Sequence, residues 1–200
     1  MRMQLFAPFV LFCAALGGVV TAAPDHAQPQ PSDRPQYVNS KLVRPDGYRQ
    51  WVYLSSGLGM SYSASTNPNP LFTNVFVPQW AYRQFIASGK WPEKTMFVLE
   101  ERASETKGSI NKGGRFQTDL TGLAVEVKDQ SAFPDEWAYF SFSANAQEAA
   151  PNPKKACWEC HDTNAAVEHT FVQFYPTLKP VALKFGTYRD KAPVDTQEHP

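Results

Sequence analysis

The chain has 200 residues, and its 19 Lys and Arg side chains balance its 19 Asp and Glu side chains. No long run of either sign occurs, so the sequence argues against a nucleic-acid groove and against a basic membrane-binding face. Aromatic residues make up 14% of the sequence, which suits a core that packs around a flat apolar group.

The first 23 residues have the pattern of a secretory signal peptide. Arg2 precedes an apolar run over residues 5–20, and small residues follow at 21–23. The run is too short and wrongly flanked for a stable membrane span, and a retained anchor is the alternative. Cleavage after residue 23 would remove Cys13 and leave no membrane span. We therefore expect an exported protein located in the periplasm.

The remainder shows one composition and no internal repeat, so one domain is expected. Residues 24–40 begin rich in Pro, Gln and Asp and are predicted to form a flexible lead-in. Residues 191–200 are predicted to form a flexible tail. The single domain is therefore assigned to residues 41–190, a length that can bury one core.

Hydrophobic patterning predicts strands more often than helices. Residues 48–56 are amphipathic and predict a short helix or a helix-to-strand entry. A loop at 68–70 precedes a β-rich run over 71–77, and helical spacing over 78–88 stops at Gly89. The later elements are a strand over 95–102, a hairpin turn at Gly113 and Gly114, strands over 115–128 and 136–144, a loop over 145–156, and a helix from Cys157 closing near 174–176. The predicted fold class is α+β, mainly antiparallel β-sheet with a few packed helices, and not a four-helix bundle.

The segment Cys157-Trp158-Glu159-Cys160-His161 has the C-x-x-C-H spacing of a haem attachment site. Two thiols one helical turn apart can reach the two vinyl groups on one edge of a porphyrin, and the adjacent His161 then supplies the proximal ligand. Both cysteines that remain after removal of the signal segment lie in this motif. The sequence therefore predicts one covalent haem c held by Cys157, Cys160 and His161, with His161 as the metal ligand.

Two other kinds of site use paired cysteines. An exported C-x-x-C pair can form a disulfide or a thioredoxin-like centre, but no strand-then-helix redox context precedes this one. A zinc site needs a fourth ligand, and the sequence has no second cysteine pair. Both alternatives are weaker than haem.

Few side chains could bind the iron opposite His161. The candidates are His26, His169, His199, Met60 and Met96. The first and last histidines lie in predicted flexible ends, and His169 would lie about 12 Å along a continuous helix, on the same side as His161. Most methionines are packing residues, so we expect an open sixth position that binds small molecules, with Met60 as the alternative ligand.

The order of these motifs resembles the cytochrome P-460 family, which includes the cytochromes called c′-beta. The resemblance rests on residues 48–52, 75–77, Phe85 with Gly89, 95–100, 127–129, 133–134, 137–142, 157–161 and 174–176. It implies a homodimer of largely antiparallel sheets, with the haem held by the C-terminal C-x-x-C-H segment.

Within that family, members that oxidise hydroxylamine carry a lysine cross-linked to the porphyrin, before a glutamate on a strand. The resemblance places Leu99 at this position, and Lys94 lies five residues away with the opposite side-chain phase. The chain therefore resembles the c′-beta branch, whose members bind nitric oxide or carbon monoxide at a five-coordinate iron. An apolar distal face of Leu99, Phe97 and Phe72 would offer no hydrogen bond to dioxygen and would favour these two gases.

Three functions follow from this reading. The first is a gas-binding protein that scavenges, carries or senses nitric oxide. The second is an enzyme that oxidises hydroxylamine or nitric oxide, which Leu99 argues against as a cross-linked catalyst. The third is an electron-transfer cytochrome with Met60 as sixth ligand. We expect a small gaseous ligand, a redox partner protein and a second copy of the chain as partners.

Overall fold

The computed structural model describes residues 32–60 and 67–189. The predicted signal peptide, the first part of the lead-in and the predicted tail lie outside the described residues, as do Cys13, His26 and His199. Within the described ranges, none of the helices has the length and apolar character needed to span a bilayer.

The described residues form a mainly antiparallel α+β fold, as predicted. The strands are β1 Tyr37–Val38, β2 Lys41–Val43, β3 Val52–Leu58, β4 Phe72–Val77, β5 Met96–Glu105, β6 Phe116–Lys128, β7 Trp137–Ser143 and β8 Glu148–Ala149. The α-helices are α1 Gln79–Ser88, α2 Trp158–Asn164 and α3 Lys179–Phe185, and 3-10 helices cover Tyr48–Gln50, Lys154–Ala156 and Val172–Phe174.

The strands form a five-stranded sheet in the order β3-β4-β5-β6-β7 and a three-stranded sheet in the order β1-β2-β8. Cross-strand partners point to the same face of a sheet, so the register defines two faces of the larger sheet. The front face carries the row Val75, Leu99, Ala124 and Ser141. The back face carries the row Phe76, Val98, Val125 and Phe140.

Each face covers a separate hydrophobic core. On the front face, the Phe85 and Trp91 rings stack with centroids 4.0 Å apart, and Trp91 meets the edge of Phe97 at 4.7 Å. On the back face, Leu42 and Tyr48 pack against the larger sheet. Burial of a large apolar side chain contributes about 2 kcal/mol to folding, so both cores hold the sheet in place.

Helix α1 follows Pro78 and ends at Gly89, which adopts the left-handed conformation with φ of 71°. A Cβ at Gly89 would lie 2.6 Å from Cβ of Phe185, which no side chain tolerates without a shift. Gly114 also has a positive φ, of 77°, but a Cβ there would meet nothing within 4 Å. A side chain at Gly114 would therefore cause backbone strain alone, whereas one at Gly89 would cause backbone strain and steric overlap.

We expect Gly114→Ala to lower the free energy of unfolding by about 1 kcal/mol, from the left-handed backbone alone. Gly89→Ala should cost that amount and about 1–3 kcal/mol more, because overpacking is added to strain. Urea unfolding of both variants measures the difference. Equal losses at the two positions would contradict the overlap with Phe185.

Two sequence-based boundaries need correction. Residues 32–40, predicted as flexible, include β1, which pairs with β2. The Arg34 guanidinium also lies 3.4 Å from the centre of the Trp80 ring. The predicted loop over 145–156 likewise contains the short strand β8, which pairs with β2. Two-residue strands carry no detectable periodicity, so tertiary pairing decides these elements.

The helix predicted to run from Cys157 to near residue 176 is interrupted, because α2 ends at Asn164. The Gln173 amide donates to the Asn164 carbonyl at 2.8 Å, and the Arg189 guanidinium donates to the carbonyl of Asp162 at 2.7 Å. These side chains donate to carbonyls at the end of α2. Without them, those carbonyls would accept hydrogen bonds from a further helical turn or from water. Both come from later in the chain, so local patterning does not reveal the stop.

Candidate functional site

The front face of the larger sheet forms one wall of a cavity of about 560 Å³. The volume lies in the usual range for cofactor and small-molecule sites. The sheet contributes Val75, Leu99, Ala124, Glu126, Tyr139 and Ser141 to the lining. The chain after β8 contributes Asn152, Cys157, His161, Phe171, Phe174 and Tyr175. The cavity is therefore enclosed between strands and the C-terminal segment, with mostly apolar walls.

Helix α2 carries the C-x-x-C-H motif to the cavity. Cys157 precedes the first helical residue, and the His161 amide donates to its carbonyl at 3.1 Å, closing one helical turn. The indole N–H of Trp158 donates to the Asp135 carbonyl at 3.2 Å, and the Lys154 ammonium lies 4.0 Å from its ring centre. These contacts anchor α2 to the turn before β7. The motif is thereby held at the cavity wall.

The two cysteines are unpaired and partly exposed. The Asn152 amide donates to Sγ of Cys157 at 3.3 Å, and the Asn164 amide lies 3.5 Å from Sγ of Cys160. Cys157 and His161 line the cavity, whereas Cys160 is not among its lining residues. The Cys157 thiol is thus available for bond formation at the cavity, and the Cys160 thiol is unpaired and partly exposed about one helical turn further along the chain.

The His161 imidazole is held in one tautomer. Its Nδ1 lies 2.7 Å from the carbonyl oxygen of His169. A carbonyl only accepts hydrogen bonds, so Nδ1 carries the proton and Nε2 keeps its lone pair. Burial lowers the pKa of His161 to about 4, although the bond to the His169 carbonyl acts in the opposite direction. The imidazole is therefore neutral at pH 7, which is the state that binds a metal ion.

Two aromatic rings confine this imidazole. The Tyr139 ring centroid lies 4.3 Å from that of His161, and the Phe171 centroid lies 4.5 Å away. Tyr139 comes from β7 and Phe171 from the segment after α2, so the ring is held between the sheet and the C-terminal chain. Sequence reasoning missed Phe171, because no local pattern links it to His161.

Glu126 and Tyr139, cross-strand partners on the front face, bring buried polar atoms to the site. Glu126 is 13% exposed, and its Oε1 lies 3.8 Å from Nδ1 of His161. Burial raises the pKa of Glu126 to about 8. Its Oε2 and the Tyr139 hydroxyl have no hydrogen-bond partner within the described residues. Orphaned polar atoms beside a cavity indicate that a bound group or water completes the site. The charged residue in the buried run 123–127 was the available sequence signal for Glu126.

These residues fit a haem. Thiols one turn apart, a neutral imidazole with a free Nε2 and apolar aromatic walls are what an attached porphyrin requires. The described residues contain no cluster of three or more His, Cys, Asp or Glu side chains that could hold a bare metal ion. The site therefore suits an iron porphyrin better than a zinc ion.

The three predicted distal residues have different locations. Leu99 lines the cavity together with His161. Phe97 lies on the same face but is 1% exposed, packed against Trp91 and Tyr175 in the front core, so its assignment to the pocket is wrong. Phe72 is also misassigned, because strand alternation places it on the back face, opposite to Val75.

The predicted distal face is less apolar than expected. Glu101 follows Leu99 on the same face of β5, and it lines the cavity together with Thr73 from β4. Met60, which is 53% exposed, lines the cavity too. Met96 is 1% exposed in the back core and cannot reach the cavity.

Lysines are absent from the cavity lining formed by the described residues. The Lys94 ammonium binds the Asp129 carboxylate and donates to the Ser131 hydroxyl. Glu100 lies on the back face, where Tyr48 donates to it at 2.5 Å. The strand position that precedes this glutamate is Leu99, an apolar residue on the cavity wall.

His169 does not lie on a continuous helix with His161, as the sequence had suggested. The helix that would carry it ends at Asn164, and both Glu168 and His169 have positive φ. Its carbonyl binds His161, and its ring lies 4.9 Å from that of Trp158. His169 therefore supports the side of the site that carries His161.

The geometry places a histidine with a free Nε2 and an adjacent thiol at a largely apolar cavity, an arrangement that suits a porphyrin. A family model described as Cytochrome P460 matches residues 45–172, which spans the larger sheet and the C-x-x-C-H motif. The chain belongs to the Cytochrome P460 family and is a haem cytochrome, and the family-level resemblance is confirmed. No curated protein matches the chain.

Proposed function

We propose that the protein is a periplasmic cytochrome with one covalent haem c, whose five-coordinate iron binds nitric oxide or carbon monoxide. Nitric oxide scavenging or sensing is the role that this binding would serve. The observation that carries the proposal is His161, a neutral imidazole with a free Nε2 beside Cys157 in a largely apolar cavity.

The cysteines and the histidine of the motif would hold the haem in different ways. Cys157 and Cys160 would form thioether bonds by addition of each S–H across a porphyrin vinyl group. His161 would bind the iron through Nε2, because Nδ1 donates to the His169 carbonyl. The haem supplies an iron with an open coordination position, and the protein supplies the shape and polarity of the surrounding space.

The surroundings of Leu99 favour gases that do not depend on a hydrogen-bond donor. Its cross-strand partners on the cavity wall are Val75 and Ala124, both apolar. Bound dioxygen gains most from a donor, whereas nitric oxide and carbon monoxide bind without one. The nearby Glu101 carboxylate offers acceptors and no donor. The apolar row of Val75, Leu99 and Ala124 thus supports selection against dioxygen. The hydroxyl of Thr73, the cross-strand partner of Glu101, also lines the cavity and can donate a hydrogen bond, so the selection rests on this row alone.

Two alternatives rest on particular side chains. Met60 lines the cavity, so a thioether–iron bond and an electron-transfer role form the second candidate function. Hydroxylamine oxidation by a cross-linked haem finds no lysine among the described residues that line the cavity. A lysine attached to the haem peptide, detected by mass, would restore that activity as a candidate.

Absorption spectra of the purified holoprotein test the proposal. We expect a high-spin spectrum in the reduced protein, converted to a low-spin spectrum by carbon monoxide, because the sixth position is open. Met60→Leu should behave like the wild type, since Leu keeps the volume and removes the sulfur. A low-spin reduced spectrum that carbon monoxide does not change would overturn the proposal. If Met60→Leu then became reactive to carbon monoxide, Met60 would be the sixth ligand.

A further inference from the structure

A tight turn after α2 carries the carbonyl that binds His161. The amide of Thr170 donates to the Val167 carbonyl at 2.7 Å, so Glu168 and His169 are the two central residues of the turn. Their φ values are 43° and 64°, both in the left-handed region. Turns of this shape usually hold Asn and Gly at these positions, since other residues are strained there. Contacts outside the turn must therefore stabilise it.

The Glu168 carboxylate supplies the main contact. Its Oε2 accepts from the Trp91 amide at 3.0 Å and from the Lys128 ammonium at 3.1 Å. The same ammonium donates to the Trp91 carbonyl at 2.9 Å, and Lys128 is only 8% exposed. One carboxylate oxygen thus ties the turn to the end of β6 and to the loop before β5.

A second contact restrains the other end of the turn. The Trp91 indole N–H donates to the Thr170 hydroxyl at 2.9 Å, and that hydroxyl donates to the Val167 carbonyl at 2.6 Å. Trp91 therefore holds the turn through its main chain and through its side chain. Between these contacts lies the His169 carbonyl, 2.7 Å from Nδ1 of His161.

We propose that Glu168 and Lys128 are positioning residues for the axial histidine. They hold the Glu168–His169 turn so that the His169 carbonyl accepts from Nδ1 of His161, which sets the rotation of the imidazole and raises the basicity of Nε2. Partners of this kind orient metal-binding histidines and tune the metal they bind. The inference rests on the proposed function, because it takes His161 to be the iron ligand.

The test is the iron–histidine stretching band of the reduced holoprotein, measured by resonance Raman spectroscopy, together with the reduction potential. Glu168→Ala keeps the strained backbone and removes the carboxylate. We expect a lower stretching frequency, a broader band and a higher reduction potential, because the Nδ1 hydrogen bond weakens and the ring gains rotational freedom. Glu168→Gln should restore most of the wild-type band, since its amide oxygen still accepts from the Trp91 amide.

Two further variants separate positioning from general loss of stability. Lys128→Met leaves the Trp91–Glu168 bond and should give a smaller shift in the same direction. Lys94→Met breaks the ion pair with Asp129, the residue after Lys128, without touching the turn. It should lower the free energy of unfolding and leave the stretching band unchanged.

The outcomes distinguish the two levels of the argument. A wild-type band in Glu168→Ala, or an equal shift in Lys94→Met, would overturn the positioning role while His161 remained the ligand. If the reduced wild-type protein shows no iron–histidine band, or shows a band that His161→Gly leaves unchanged, the proposed function itself is overturned. If Glu168→Ala does not fold, the graded pair Glu168→Gln and Lys128→Met decides the question by the same band.

Discussion

Serine at both Cys157 and Cys160 is expected to abolish covalent retention of the haem. A serine hydroxyl does not add to a vinyl group under the conditions of attachment, so both thioether bonds are lost. Any remaining haem would be held by His161 and by apolar packing in the cavity. Acidified acetone should then extract all haem from the variant and none from the wild type. The absorbance of the two phases measures the difference.

Single substitutions provide the control for this experiment. Cys157→Ser and Cys160→Ser each leave one sulfur, so each should retain haem through one thioether bond. Asn152→Ala removes the amide that donates to Sγ of Cys157 but leaves both sulfurs, and its haem should not be extractable. Haem that stays with the doubly substituted protein in acidified acetone would refute attachment at the motif.

The sequence identified Cys157 and His161, which the structure places at the cavity, and little of what surrounds them. The C-x-x-C-H motif spans five consecutive residues, so it can be recognised from the sequence without knowledge of the fold. The His169 carbonyl and Phe171 reach His161 only because α2 stops at Asn164 and the chain turns back. That stop depends on Arg189 and on other groups distant in sequence. Contacts between residues so far apart in the chain cannot be predicted from local sequence patterns.

The errors at Phe72 and Phe97 have a different origin. Phe72 was assigned from its place before a β-rich run, but a shift of one position moves a side chain to the other face of a sheet. Phe97 lies on the predicted face of the sheet but outside the cavity, because the Trp91 and Tyr175 rings cover its side chain. Alternation gives the face of a residue, and only packing shows whether a cavity lies above it.

The fold class was easier to predict than the site. Strands β4 to β7 each show enough alternation or β-branched content to be recognised, and hairpin connections then favour an antiparallel sheet. Strand β3 was less clear, because the segment 48–56 predicted a short helix or a helix-to-strand entry, and the structure has a 3-10 helix followed by this strand. The shorter strands β1 and β8 were missed because two residues show no period. Those strands form the smaller sheet with β2, so its existence followed from pairing rather than from pattern.

Glu100→Gln is expected to lower the free energy of unfolding at pH 7 by about 2–4 kcal/mol. The carboxylate is 3% exposed, and it accepts from Tyr48 at 2.5 Å, from Arg49 at 2.7 Å and from Arg102 at 2.5 Å. Removal of one member of a buried ion pair costs about 3–5 kcal/mol, because the partner charge is left without compensation. The expected loss is smaller here, since Arg49 is 53% exposed and solvent screens its charge. Urea unfolding measures it.

The pH dependence of this loss identifies its cause. Burial alone would raise the pKa of Glu100, but hydrogen bonds from Arg102, Tyr48 and Arg49 outweigh it and lower the pKa from 4.5 to about 2. The folded protein therefore releases this proton more readily than the unfolded chain does. The stabilisation is complete above pH 4.5 and is lost as the pH falls from 4.5 toward 2, by about 3 kcal/mol in total.

Wild type and Glu100→Gln should thus differ most at neutral pH and converge only near pH 2, in unfolding experiments repeated between pH 7 and pH 2. Glu101→Gln is the matched control, because Glu101 lies next to Glu100 in the chain but on the front face. It should leave the difference between pH 7 and pH 2 close to that of the wild type. A Glu100→Gln variant that loses as much stability on acidification as the wild type would place the acid-sensitive group elsewhere. Convergence would show that a carboxylate on the face opposite the haem cavity stabilises the strand that carries Leu99.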